Sequence, residues 1–169
     1  MTIVFQESGL NFGPFNENSI FRIEQSKSYV KIQQNTKIAE FLWVSDSQKL
    51  WIVEAKTSIP KPTNTEDYEK FFDDIRCKIL NAISLTVSGA LKRSHVDLRE
   101  IPEEILNLNW STIDIHLALV IPDVPRSMLP PITDKFRAIM KGYIKPWGIS
   151  EPAVNVLNRE QAIKHNLSS

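Results

Sequence analysis

One cysteine, Cys77, in 169 residues rules out an internal disulfide and the stapled scaffolds of small secreted domains. It falls in an amphipathic pattern and reads as a small packed residue. Glycine is scarce as well, with five in all. No G-x-x-x-x-G-K-S/T, G-x-G-x-x-G or G-x-S-x-G string occurs, which sets aside phosphate-cradling loops and nucleophile elbows. His95, His116 and His165 are dispersed without metal-ligand spacing, and His116 alternates within a strand pattern as a structural residue does. No apolar run approaches the roughly 20 residues that cross a bilayer. The opening MTIVFQESGLNFG lacks the basic flank and long apolar stretch of a signal peptide. The expectation is a cytoplasmic chain with no membrane association. Net charge is absent too: 20 Lys and Arg balance 20 Asp and Glu, so any contact with a phosphate backbone must run through local basic strips.

What is present is the composition of a folded domain, 42% hydrophobic and 24% charged, at a length that suits one domain over residues 1–169. Residues 20–32, IFRIEQSKSYVKI, mix β-branched and aromatic side chains and predict a strand or a broken pair of strands. Two apolar runs, 37–44 and 49–56, flank Ser45-Asp46-Ser47-Gln48 and predict a β-hairpin. Pro60 and Pro62 end the second strand. Thr63, Asn64 and Thr65 then offer N-caps to a long helix, with Tyr68, Phe71, Phe72, Ile75, Ile79, Ile83 and Val87 on one face and an end near residues 89–91. Residues 92–109 are polar with a helical turn in REIPEEILNL, and 111–122 turn continuously apolar, as an interior strand does. A proline-rich loop over 122–131, a helix over 133–143, a short strand and a terminal helical turn complete the chain.

The hairpin can be taken further by arithmetic. With Ser45 opposite Gln48, paired residues sum to about 93; a one-residue shift to 94 sets Glu40 beside Glu54. Glu54 and Lys56 are two apart and share a face of the strand. Neighbouring carboxylates repel unless a cation or proton lies between them. Hard divalent cations suit such oxygen pairs and lower the pKa of a bound water, while an adjacent lysine can orient that water or stabilise charge on a phosphate. Polar groups emerging at the end of the apolar face of Leu42, Val44, Leu50 and Ile52 look like a pocket floor. Trp43 and Trp51 point to the opposite face, where core packing is expected of them. Lys78 and Asn81, about one turn apart on the long helix, are candidate substrate contacts if that helix crosses the hairpin.

The string WIVEAKTS, with Glu54-Ala55-Lys56 closing an apolar strand and Glu40 on the strand before, resembles the E-x-K half-motif of the PD-(D/E)xK nuclease-like superfamily. The order of strands, long helix, strand and helix resembles that superfamily's core. The resemblance implies an α/β restriction-endonuclease-like fold with a mixed central sheet flanked by helices. It also implies a Mg²⁺- or Mn²⁺-dependent nuclease acting on nucleic acid, in a setting such as bacterial or mobile-element defence. Glu40 and Glu54 stand as metal ligands and Lys56 as the catalytic lysine; Glu24, preferred over Glu7, stands as a further acidic ligand. The pattern departs at Ala39-Glu40, where the family carries Pro-Asp. That departure, with the absent net charge, leaves an inactive nuclease-like subunit as the rival. Its homodimer or protein partner would use the proline-rich segment or the aromatic hairpin.

Overall fold

The computed structural model describes residues 1–93 and 95–169. Strands β1 (Thr2–Glu7) and β2 (Leu10–Asn16) form a separate antiparallel pair. Strands β3 (Ile20–Phe21), β4 (Phe41–Val44), β5 (Lys49–Ala55), β6 (Asp114–Val120) and β7 (Val154–Leu157) form a five-stranded mixed sheet in that order. The first two pairings are antiparallel and the last two parallel. A parallel neighbour needs a crossover, and α2 (Thr65–Ala90) supplies it between β5 and β6. Helix α4 (Leu129–Ile144) does the same between β6 and β7.

Side-chain alternation divides the core into two layers. Leu42, Val44, Leu50 and Ile52 turn to the helices, where Phe72, Ile75, Ile79 and Ile83 of α2 and Phe136 and Met140 of α4 are buried with them. Phe41, Trp43, Trp51 and Val53 turn the other way, under β1 and β2 and the short helix α5 (Arg159–Lys164). There Phe41 meets Phe5, Phe12 and Phe15 at ring distances of 5.3, 5.1 and 5.7 Å. The two tryptophans are core residues, as expected. Trp51 is stacked on His116 at 4.7 Å, which gives that histidine its packing role.

Several expectations are corrected. Of residues 20–32, Ile20–Phe21 alone is strand. A 3-10 turn (Ile23–Gln25) and the one-turn helix α1 (Lys27–Val30) follow, because the Ser26 side chain accepts the Tyr29 amide and caps a helix there. Within the main hairpin, Ser45 lies opposite Lys49, not Gln48: the Ser45 amide donates to the Lys49 carbonyl at 2.9 Å. Gln48 is the extra residue of a three-residue turn, in the left-handed region at φ 57. The strand register is therefore 94, with Phe41 opposite Val53. Helix α4 begins at Leu129 rather than 133, since Pro130 and Pro131 fit the first turn, where the missing amides have no helical partner. Cys77 is exposed, because it stands two residues from both Ile75 and Ile79 and so faces away from the core. The opening hairpin is an element the sequence patterns do not signal, with Ser8 and Gly9, both at positive φ (48 and 79), as its two-residue turn.

The polar stretch after α2 holds a 3-10 turn (Leu98–Glu100) and α3 (Glu103–Leu106), consistent with the helical turn read in REIPEEILNL. No helix among the described residues is long and apolar enough to cross a membrane.

Candidate active site

β5 ends at the carboxyl edge of the sheet, between β4 and β6. Its inward series Leu50, Ile52, Glu54 puts a carboxylate where the pattern would bury another aliphatic side chain, and Glu54 is fully buried. A lone buried carboxylate is costly unless it is paired, and two ammonium groups meet this one. Lys56 Nζ and Lys78 Nζ each lie 2.8 Å from Glu54 Oε1. Lys56 arrives from the same strand, whose ladder continues one residue past β5 as its amide donates to the Val120 carbonyl at 2.9 Å. Lys78 arrives from α2, set between the buried Ile75 and Ile79. The second oxygen, Oε2, is buried and has no hydrogen-bond partner. Burial pushes the Glu54 carboxyl up, against the pull of Lys78 and Lys56.

Glu40 enters from the other strand of the hairpin. The chain bends there, and the Glu40 amide donates to the Val53 carbonyl at 3.1 Å, one residue out of step with the ladder. One residue earlier, the Ala39 amide donates to the Lys78 carbonyl at 3.2 Å, which ties the bend to α2. Glu40 is half-buried. Its carboxyl is pushed up to about 9, first by burial, then by a hydrogen bond with Glu24 and the charges of Glu54, Glu24 and Glu7. At neutral pH Glu40 therefore keeps its proton.

These groups surround Lys78. Burial works against its ammonium, but the Glu54, Glu40 and Glu24 carboxylates outweigh that and hold its pKa above the usual lysine value. Tyr29 backs the cluster, its phenol raised by burial and by Glu24, and its hydroxyl donating to the Thr36 carbonyl at 3.0 Å.

Glu40, Glu54, Lys56, Glu24 and Lys78 thus act on one another across four elements of the chain. Asn81 does not join them; its amide donates to the Lys37 carbonyl at 2.7 Å, holding the approach to β4 against α2. Tyr29 was missed by sequence reasoning, because it falls in the stretch misread as strand. Glu7 reaches the field of Glu40 from the turn of the opening hairpin, where its Oε1 accepts from the Ser8 amide at 2.9 Å. Among the described residues, no three His, Cys, Asp or Glu side chains are set to hold a metal ion as they stand. No protein-family model, curated protein sequence or solved structure matches the chain.

Proposed function

We propose that the chain is a Mg²⁺- or Mn²⁺-dependent phosphodiesterase acting on nucleic acid, of the PD-(D/E)xK nuclease-like kind. The observation that carries this reading is the buried Glu54 carboxylate, with one oxygen held by two lysines and the other without a partner, beside a second carboxyl group at Glu40. The architecture supports it: three antiparallel strands, a crossover helix and a parallel strand are the layout that the resemblance implies.

The donor set suits a hard divalent cation. It is all oxygen, and it contains a buried acceptor in need of a donor. Glu40 and Glu54 would hold the ion, with Glu24 beside them. Mg²⁺ in particular keeps most of its waters and uses one or two protein carboxylates, so a pair is enough. Such an ion supplies a water of lowered pKa and screens the charge of a phosphodiester. The protein's own groups divide the remaining work. Lys56, one-third exposed at the strand end, donates to a phosphate oxygen and stabilises charge building there. Glu24, beside Glu40, adds its charge to the pull of the pair on a cation.

Supercoiled plasmid incubated with the protein and Mg²⁺ tests this directly. Nicking is expected, with Glu54→Ala and Lys56→Ala each slower by about 100-fold or more. Variants that cut at the wild-type rate would remove these residues from the reaction. One feature favours an inactive interaction module instead: with two lysines on Glu54 and a proton on Glu40, the cluster balances its charge without a metal. Titration calorimetry with Mn²⁺ separates the readings, since absence of heat and of any thermal shift favours the module.

A further inference from the structure

Two ammonium groups on one carboxylate oxygen is one more than charge balance at Glu54 requires, and the two are not equivalent. Lys78 rises from the middle of a 26-residue helix, between two fully buried isoleucines, and its side chain is 14% exposed. The carboxylates of Glu54 and Glu24 and the carboxyl group of Glu40 face it, and the Tyr29 phenol lies within its field. Its own carbonyl is also bonded to the Ala39 amide, so backbone and side chain of this residue together join α2 to the hairpin. Lys56 stands one residue past the end of β5, its side chain is 33% exposed, and the exposed Thr57 and Ser58 follow it. A side chain at the rim loses less on leaving its partner than one fixed in the wall, because water and a new anion replace the contact.

We infer that Lys78 is the permanent counter-ion of Glu54 and the positioning residue of the site, and that it frees Lys56 to leave Glu54 Oε1 for an anionic oxygen of the substrate. With Lys78 in place, Glu54 keeps an ammonium partner when Lys56 departs, and no buried charge is stranded. Without Lys78, Glu54 holds Lys56 as its one remaining counter-ion. The lysine on the strand is then locked into a structural pair and lost to the reaction. This rests on the phosphodiesterase reading for the identity of the anion, but the division between a fixed and a mobile lysine does not.

The first test therefore needs neither metal nor nucleic acid. Nitrogen-15 relaxation of the lysine side-chain ammonium groups, at one fixed pH, is expected to show Lys78 ordered and protected from solvent exchange in the wild-type protein. Lys56 is expected to be mobile, with an order parameter lower by about twofold. In Lys78→Met the Lys56 ammonium is expected to become as ordered as Lys78 was. Equal order for both lysines in the wild type, or a Lys56 that stays mobile in Lys78→Met, overturns the inference. The wild-type comparison stands even if Lys78→Met does not fold.

The second test is plasmid nicking with Mg²⁺. Lys78→Met is expected to lose about tenfold or more in rate. Adding Lys56→Ala to Lys78→Met should then cost far less than Lys56→Ala costs alone, because the lysine it removes is already locked. Lys78→Arg, which keeps the charge, is expected to restore most of the rate. Wild-type nicking with independent, multiplicative losses would overturn the inference and leave the phosphodiesterase reading intact. A wild-type protein that cuts nothing would overturn that reading, and the relaxation result would still decide the roles of the two lysines.

Discussion

Glu40 carries the strongest pH signature in the chain. Its carboxyl titrates at about 9 in the folded protein against an ordinary 4.5, so between those values the folded state binds a proton that the unfolded state has released. The resulting stabilisation is complete below about pH 4.5 and is lost as the pH rises towards 9. Glu40→Gln replaces the protonated form with a neutral near-isostere. Urea unfolding should show the variant matching the wild type near pH 4 and exceeding it near pH 9 by about 1–2 kcal/mol, a figure reduced for the partial exposure of the site. An equal offset at both pH values would contradict a proton held at this position. Under the proposed metal-dependent reading, the same proton competes with a divalent cation. Mn²⁺ affinity measured by calorimetry should therefore rise with pH between 6 and 8, by up to about tenfold per unit, with proton release on binding. A pH-independent affinity would separate Glu40 from the ion.

At the scale of elements, glycines on opposite sides of the molecule should respond to the same substitution with opposite signs. Gly13 in β2 has φ +102, and a Cβ there would lie 2.5 Å from the Ile3 carbonyl oxygen. Backbone cannot yield as a side-chain tip can, so Gly13→Ala should destabilise by about 2 kcal/mol or more and loosen the opening hairpin that carries Glu7. Gly142 lies within α4 with nothing near its Cβ position, and Gly142→Ala should stabilise by about 0.5–1 kcal/mol. Thermal melts of the two variants check both signs.

Legibility also divides at this scale. The main hairpin, α2 and β6 could be read because period 2 and period 3.6 persist there for several residues. Residues 23–30 could not, because the Ser26 cap outweighs the β-forming side chains around it. The shared face of Glu54 and Lys56 follows from strand alternation alone, whereas Glu40 stands at a bend just ahead of β4, one residue out of step with the ladder. Both Glu24 and Glu7 act on Glu40, the one from a 3-10 turn and the other from the end of β1, and the meeting of Lys78 with Glu54 depends on where α2 lands. No periodicity within the chain encodes that landing.

For the whole molecule, charge neutrality sets a limit on how nucleic acid can be held. With 20 basic and 20 acidic residues, the chain has no net positive charge to steer a polyanion, and among the described residues eight of its Lys and Arg side chains are already paired with carboxylates. At the carboxyl end of the strands, Arg159 contacts Asp123 at 3.4 Å and the Gly9 carbonyl at 3.2 Å, while Arg126 faces Glu160 at 3.9 Å. Each such pair cancels the attraction its cation would offer to a phosphate. On the proposed reading, nucleic acid binding would then rest on a few contacts near Lys56, with few counterions released when the complex forms. The affinity for a short DNA duplex, followed by fluorescence anisotropy in Ca²⁺ to support binding without turnover, should fall with salt at a shallow log–log slope of about −2 to −3, the value for two or three phosphate contacts. A slope of about −6 or steeper would mean that the exposed ion pairs open to receive phosphates. The neutral exterior would then be a latent basic surface, and the carboxylate cluster would supply a minor share of the binding.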